Sequence, residues 1–138
     1  MHVFTGVSCI GQTGPGGWAV IVEVEGEAHE LSGREATTSA NRLHLLAAQQ
    51  GLLAAPTDRT VHLYTPSDYV AQGAQQWVKD WAARGWRTKD DQPVKHRALW
   101  QSIVAASKTR QVRWHCLKDE VRPAQSQRAG QLARLALG

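Results

Sequence analysis

Hydrophobic and polar positions change period several times along this chain. From Trp18 to Glu25 they alternate, with Val20, Val22 and Val24 on one side and Ile21, Glu23 and Glu25 on the other. That is the period-two pattern of a half-buried strand. Val3-Phe4-Thr5 is a shorter β-rich run before it. Between the two lies Gly11-Gln12-Thr13-Gly14-Pro15-Gly16-Gly17, whose glycines and proline interrupt any regular element. Gly26 marks a tight turn and His29–Gly33 predicts a returning third strand, so the chain opens as an antiparallel meander. The period then lengthens. Thr37-Thr38-Ser39 supply helix-capping side chains, and Arg42–Ala55, rich in Leu, Ala and Gln, predicts a helix that Pro56 ends. Leu43, Leu46, Ala47 and Leu53 are its expected buried stripe. Val61–Thr65 predicts a fourth strand, stopped by Pro66.

Residues 67–83 predict one or two short helices, and Arg84–Pro93 a basic, turn-rich loop. Val94–Ser107 predicts another helix and Arg110–Leu117 a fifth strand, with Val112, Trp114 and Cys116 facing away from Gln111, Arg113 and His115. A closing helix is expected from Ala124 to Leu137, with Ala129, Leu132, Ala133 and Ala136 at i, i+3, i+4, i+7 spacing. A strand–helix–strand passage needs a crossover and therefore a parallel pair. The order β-β-β-α-β-α-α-α-β-α thus predicts an α/β fold: a mixed five-stranded sheet, three antiparallel strands then parallel ones, with helices on both faces.

Composition narrows the class. The 138 residues suit one domain, expected to span 1–138, and 42% apolar with 20% charged residues is globular composition. The apolar runs fall far short of the ~20 residues that cross a bilayer, and the first residues lack the basic, apolar and cleavage regions of a signal peptide. Two cysteines, Cys9 and Cys116, make no disulfide framework and are read as buried thiols on strands. A cytoplasmic, monomeric protein without a membrane partner is the expectation. The net charge of +4 is unevenly spread: residues 1–60 carry three basic and six acidic side chains, residues 61–138 thirteen and six. A basic second half points to a polyanionic partner, of which nucleic acid is the commonest.

More specific words are embedded in this pattern. They are Phe4-Thr5-x-x-Ser8-Cys9-x-Gly11, Gly14-Pro15-Gly16-Gly17, Thr37-Thr38, Asn41-Arg42 and Ser67-x-Tyr69-Val70-x-Gln72-Gly73, then Gln76-Trp77, Trp81 and Arg84-Gly85-Trp86-x-Thr88, then Pro93-Val94-Lys95, Leu99-Trp100 and Lys118. With these words in this order, the chain resembles the bacterial type 1 ribonuclease H family over essentially its whole length. The resemblance implies a ribonuclease H-like fold. It also implies an activity, cleavage of the RNA strand of an RNA/DNA hybrid by two Mg²⁺ ions held by four carboxylates. Mg²⁺ is a hard cation that takes oxygen ligands. Two such ions ~3.5–4 Å apart stabilise both the attacking and the leaving oxygen.

The four carboxylate positions implied by the resemblance are replaced. The first-strand aspartate of Thr-Asp-Gly-Ser falls on Gly6, and the helix glutamate of Arg-Met-Glu-Leu on His44. The aspartate of Thr-Asp-Ser falls on Pro66, and the last, on the final helix, on Gly130. The family's mobile histidine falls on Glu120. Glycine and proline bring no side-chain ligand, and a lone imidazole prefers a borderline metal. The expectation is therefore a protein that is not an enzyme, a pseudoenzyme with no cofactor and no bound Mg²⁺, that binds nucleic acid without cutting it. Loss of four clustered anions also eases contact with a phosphate backbone. Two alternatives stand beside it: a ribonuclease H-type endonuclease with a site rebuilt from Asp68, Asp119, Glu120 and His44, and a scaffold for a protein partner.

The expected nucleic-acid-binding residues come from the same comparison and from charge. Trp77, Trp81 and Trp86 interleave with Arg84, Arg87, Lys89 and Lys95, where the family's basic protrusion grips the DNA strand of the hybrid. Arg and Lys neutralise phosphates, and tryptophan faces pack on sugars or bases. Cys9 and Thr38 match backbone-contacting positions, Gln12 replaces an asparagine, and Asn41 remains from an asparagine pair. The expected partner is RNA/DNA hybrid or duplex, with discrimination through the 2′-OH weakened by these changes.

Overall fold

The computed structural model describes residues 1–117 and 122–138. Three strands open the chain, β1 (His2–Cys9), β2 (Gly16–Val24) and β3 (Glu27–Glu35). They are followed by helix α1 (Ala40–Ala54) and strand β4 (Thr60–Thr65). A helical segment then runs through α2 (Asp68–Gln72), a π-helical turn (Gly73–Trp77) and α3 (Val78–Ala83). Helix α4 (Arg97–Lys108), strand β5 (Gln111–Cys116) and helix α5 (Ala124–Leu137) complete it. The sheet order is β3-β2-β1-β4-β5, antiparallel through β3, β2 and β1 and parallel through β1, β4 and β5. This is the mixed sheet that the pattern predicts.

The two faces of the sheet are covered unequally. On one face Val3, Val20, Val22 and Leu63 pack with Leu45, Leu52, Trp100 and Ile103 of α1 and α4. On the other, Phe4 and Ile21 meet Ala129 of α5. Helix α5 crosses β1, β2 and β3. Residues 19–22 of β2 are therefore buried on both sides, not on one as the alternation suggests. α5 can lie this close because the sheet presents glycines beneath it. A Cβ at Gly6 would stand 2.6 Å from the Ala129 carbonyl carbon and the Gly130 nitrogen, and one at Gly17 would collide with the Ala133 oxygen.

α1 begins where Ser39 accepts a hydrogen bond from the Arg42 N–H at 3.3 Å. This cap satisfies one of the unpaired amides at a helix start. Its buried arc is Leu43, Leu45, Ala47, Ala48, Gly51 and Leu52, whereas Leu53 is 54% exposed. The expected stripe missed Leu45 and Leu52 because α1 is wedged between the sheet and α4 and buries a wide arc. α4 starts at Arg97 rather than Val94. His96 takes a left-handed conformation (φ 59°) that a helix cannot include. Trp100 is fully buried and donates its indole N–H to the Tyr69 hydroxyl at 3.0 Å. Cys9 and Cys116, expected to be buried thiols, are each only partly buried. Among the described residues no helix is long and apolar enough to cross a membrane.

Candidate functional site

β1 and β4 run parallel through the centre of the sheet, and the four expected carboxylate positions cluster on the elements around their carboxyl-terminal halves. Gly6 lies mid-β1 opposite Ala19, and Pro66 directly follows β4. His44 sits in the second turn of α1, and Gly130 lies on α5, which packs across β1. None of these four residues is a carboxylate.

Gly6 is walled by the α5 backbone, so the space a side chain would take is filled. Gly130 is the reverse: a Cβ there would meet nothing within 4 Å. His44 is largely buried and its Nδ1 has no hydrogen-bond partner among the described residues. Burial, and then the charge of Arg122, pushes its pKa down to about 4. The imidazole is therefore neutral at pH 7 and offers one nitrogen. Among the described residues no three His, Cys, Asp or Glu side chains converge as metal ligands. These four positions do not fit Mg²⁺, which wants several oxygens.

The depressed His44 pKa has a measurable consequence. A histidine unperturbed in the unfolded chain binds its proton near pH 6.5, before the folded one does. Stability is thus full above pH 6.5 and falls as pH drops toward 4, because only the unfolded state gains the proton. The loss expected between pH 7.5 and pH 5 is about 2 kcal/mol. Urea denaturation at the two pH values measures it, and His44→Gln is expected to remove most of that difference.

Asp68 opens α2, and its Oδ1 accepts a hydrogen bond from the Cys116 thiol at 3.1 Å. Asp119 and Glu120, the other acids weighed for a rebuilt site, lie outside the described residues, as does Lys118.

The expected nucleic-acid-binding residues divide into two groups. Trp77, Trp81, Arg84, Arg87 and Lys89 line one open groove of about 520 Å³, together with Asp80, Thr88 and Asp90. The loop behind it is built by backbone hydrogen bonds: Trp86 N–H to Trp81 O at 2.6 Å, Val94 N–H to Trp86 O at 3.1 Å and Thr88 N–H to Gln92 O at 2.8 Å. Gly85 and Trp86 both have positive φ, which turns the chain sharply after α3. Trp77, Trp81 and Trp86 form a tilted series with ring centroids 5.9 and 6.3 Å apart. Trp81 also packs on Trp100. Trp77 and Trp81 are half-buried structure as well as groove wall, whereas Trp86, also half-buried, packs behind Trp81 and does not line the groove. Arg87 is partly engaged, donating to the Asp91 carbonyl at 3.0 Å.

Cys9, Gln12, Thr38, Asn41 and Lys95 are not in this groove. Cys9 ends β1, Gln12 is exposed in the turn before β2, Asn41 is exposed in the first turn of α1, and Lys95 is exposed before α4. Thr38 is buried and donates to Glu35 Oε1 at 2.8 Å. The same carboxylate receives Arg42 Nε and Nη2 at 3.1 Å each. These hydrogen bonds and the Arg42 charge hold Glu35 below the usual carboxylate range, although burial, the largest single influence, opposes them. Periodicity carries no trace of this network, because its members lie on either side of a loop.

The family model for RNase H matches residues 1–137. This chain belongs to the ribonuclease H family. It is 44% identical over 132 residues to a curated ribonuclease H from Bradyrhizobium diazoefficiens, covering 96% of this chain and 86% of that protein. The crystal structure of LC9-RNase H1, described as a type 1 RNase H with the type 2 active-site motif, superposes with a TM-score of 0.84 at 31% identity. That match covers 99% of this chain and 71% of the other. LC11-RNase H1, solved in complex with RNA/DNA hybrid, shares the fold at a TM-score of 0.72 and 18% identity, covering 99% and 95% of the two chains.

Ribonuclease H membership corrects two expectations. The replaced carboxylates led to a protein that is not an enzyme and takes no Mg²⁺. Near-full-length relatives bearing the name ribonuclease H overturn both conclusions, because the family reaction is a metal-dependent RNA cleavage. Replacement at four positions does not by itself make a non-enzyme.

Proposed function

We propose that this ribonuclease H-like nucleic-acid-binding protein engages RNA/DNA hybrid and cleaves its RNA strand with a donor set rebuilt outside positions 6, 44, 66 and 130. The observation that carries the reading is the 44% identity to a ribonuclease H across nearly the whole chain. Two features of this chain support it. The groove of Trp77, Trp81, Arg84, Arg87 and Lys89 has the mixture of cations and flat apolar faces that grips a sugar–phosphate strand. Asp68, an exposed carboxylate two residues beyond Pro66, stands at the end of β4 close to the position of a family ligand.

The work of these residues divides by chemistry. Arg84 and Lys89 neutralise phosphates at points along one strand, which fixes register without reading sequence. The tryptophans exclude water beside the backbone and hold the loop at a set angle to α3. Asp68 supplies oxygen donors at the parallel strand ends. The test uses protein purified from cells lacking their own ribonuclease H, incubated with labelled hybrid and Mg²⁺ or Mn²⁺. The expected result is divalent-dependent cleavage of the RNA strand only, strongly reduced in Asp68→Asn. Hybrid binding without any cleavage would overturn the catalytic half of the proposal. Absence of both would overturn all of it.

A further inference from the structure

The half of the sheet that α5 leaves uncovered carries a row of imidazoles far from the groove. β1 and β4 place His2 directly beside His62, and β4 and β5 place Tyr64 beside His115. His2 and His62 stack with ring centroids 5.3 Å apart, and His62 and His115 at 5.2 Å. His62 Nδ1 and His115 Nε2 stand 3.0 Å apart, and His2 Nδ1 is 3.0 Å from the Tyr64 hydroxyl.

We infer that His62 and His115 form a binding site for a borderline divalent cation such as Zn²⁺, Ni²⁺ or Cu²⁺, with His2 and Tyr64 as positioning residues. Imidazole nitrogens bind such ions at ~2.0–2.1 Å, and two of them on adjacent positions of one ion lie roughly 3 Å apart. The observed separation already meets that requirement. Without metal, one nitrogen of the pair donates to the other, so the two rings share one tautomer, both Nδ1–H or both Nε2–H. On binding, the shared proton moves to the far nitrogen of its ring, both rings stay neutral, and both lone pairs face the ion. Burial, and then the facing His115 and His2, holds His62 below the usual histidine range. The exposed Arg113, beside His62 in the register, and the N-terminal ammonium add adverse charge. Two protein ligands leave the remaining positions to water, and nitrogen donors select against Mg²⁺. The ring ladder keeps the imidazoles upright: Tyr64 stacks on His115 at 4.7 Å and on Phe4 at 4.8 Å. This is the role that outer hydrogen bonds play at histidine metal sites.

The site is independent of hybrid cleavage, and its test needs no nucleic acid. Zn²⁺ alone is titrated into the metal-free full chain by isothermal calorimetry at neutral pH. The expected result is saturable one-to-one binding, weakened roughly tenfold or more in His62→Ala and in His115→Ala. His29→Ala, an exposed histidine on β3, is the control and is expected to bind as the parent does. Circular dichroism establishes that each variant is folded. Parent-like Zn²⁺ affinity in the His62→Ala/His115→Ala double variant overturns the proposal, as does a parent chain that shows no saturable uptake.

Discussion

Gly6→Asp is expected to destabilise the protein by about 4 kcal/mol, while Gly130→Asp changes stability by no more than about 0.5 kcal/mol. Both substitutions would place an acid where the family resemblance leads one to expect it, yet the two positions are sterically opposite. A Cβ at Gly6 lands 2.6 Å from the backbone of Ala129 and Gly130, where no flexible side chain can yield. α5 would have to lift from β1, and the helix is also pinned by its close seat over Gly17. Overpacking of this kind costs ~1–3 kcal/mol, and an unpaired buried carboxylate adds to it. Gly130 faces open space on a helix, where a small acid is tolerated. Equilibrium urea denaturation of the two single variants measures the contrast. A Gly6→Asp variant as stable as the parent would show that α5 moves freely on the sheet.

Arg84→Ala/Arg87→Ala/Lys89→Ala is expected to weaken hybrid binding on the order of a hundredfold at low salt, equally for all sequences. Removal of three phosphate-facing cations should also flatten the log–log salt dependence by about two to three units. The lower figure reflects Arg87, which already spends part of its charge on Asp91, 3.6 Å away. All three side chains are exposed, so the melting temperature should hardly move. Fluorescence anisotropy across a salt series reads both quantities. An unchanged slope would place the phosphate contacts on another face.

The strand and helix order was legible because each element buries a face with its own period. α5 spans the expected Ala124–Leu137, since its small side chains repeat cleanly. The limits of pattern show at α1 and α4. Leu53 carries the right spacing but is exposed, and the left-handed turn at His96 leaves no mark in the hydrophobic period. The basic groove was readable because its cations and tryptophans are near neighbours in sequence. Thr38, Glu35 and Arg42, and the row of His2, His62 and His115, are not. They meet only through strand pairing and loop closure, and their mutual arrangement is three-dimensional information. Positions 6, 44, 66 and 130 carry no carboxylate. That alone does not make the chain inactive, because the loss of a ligand set says nothing about donors supplied from elsewhere.

The π-helical turn at Gly73–Trp77 sets the phase of everything that follows it up to the loop. One additional residue per turn rotates the downstream helix by about 100° relative to an uninterrupted α-helix. Deleting a single glutamine there, Gln75 or Gln76, would swing Trp81 off its perch beside Trp100 and turn Arg84 toward a different side of the molecule. The aim of the cationic arm is thus governed by segment length, not only by which side chains it bears.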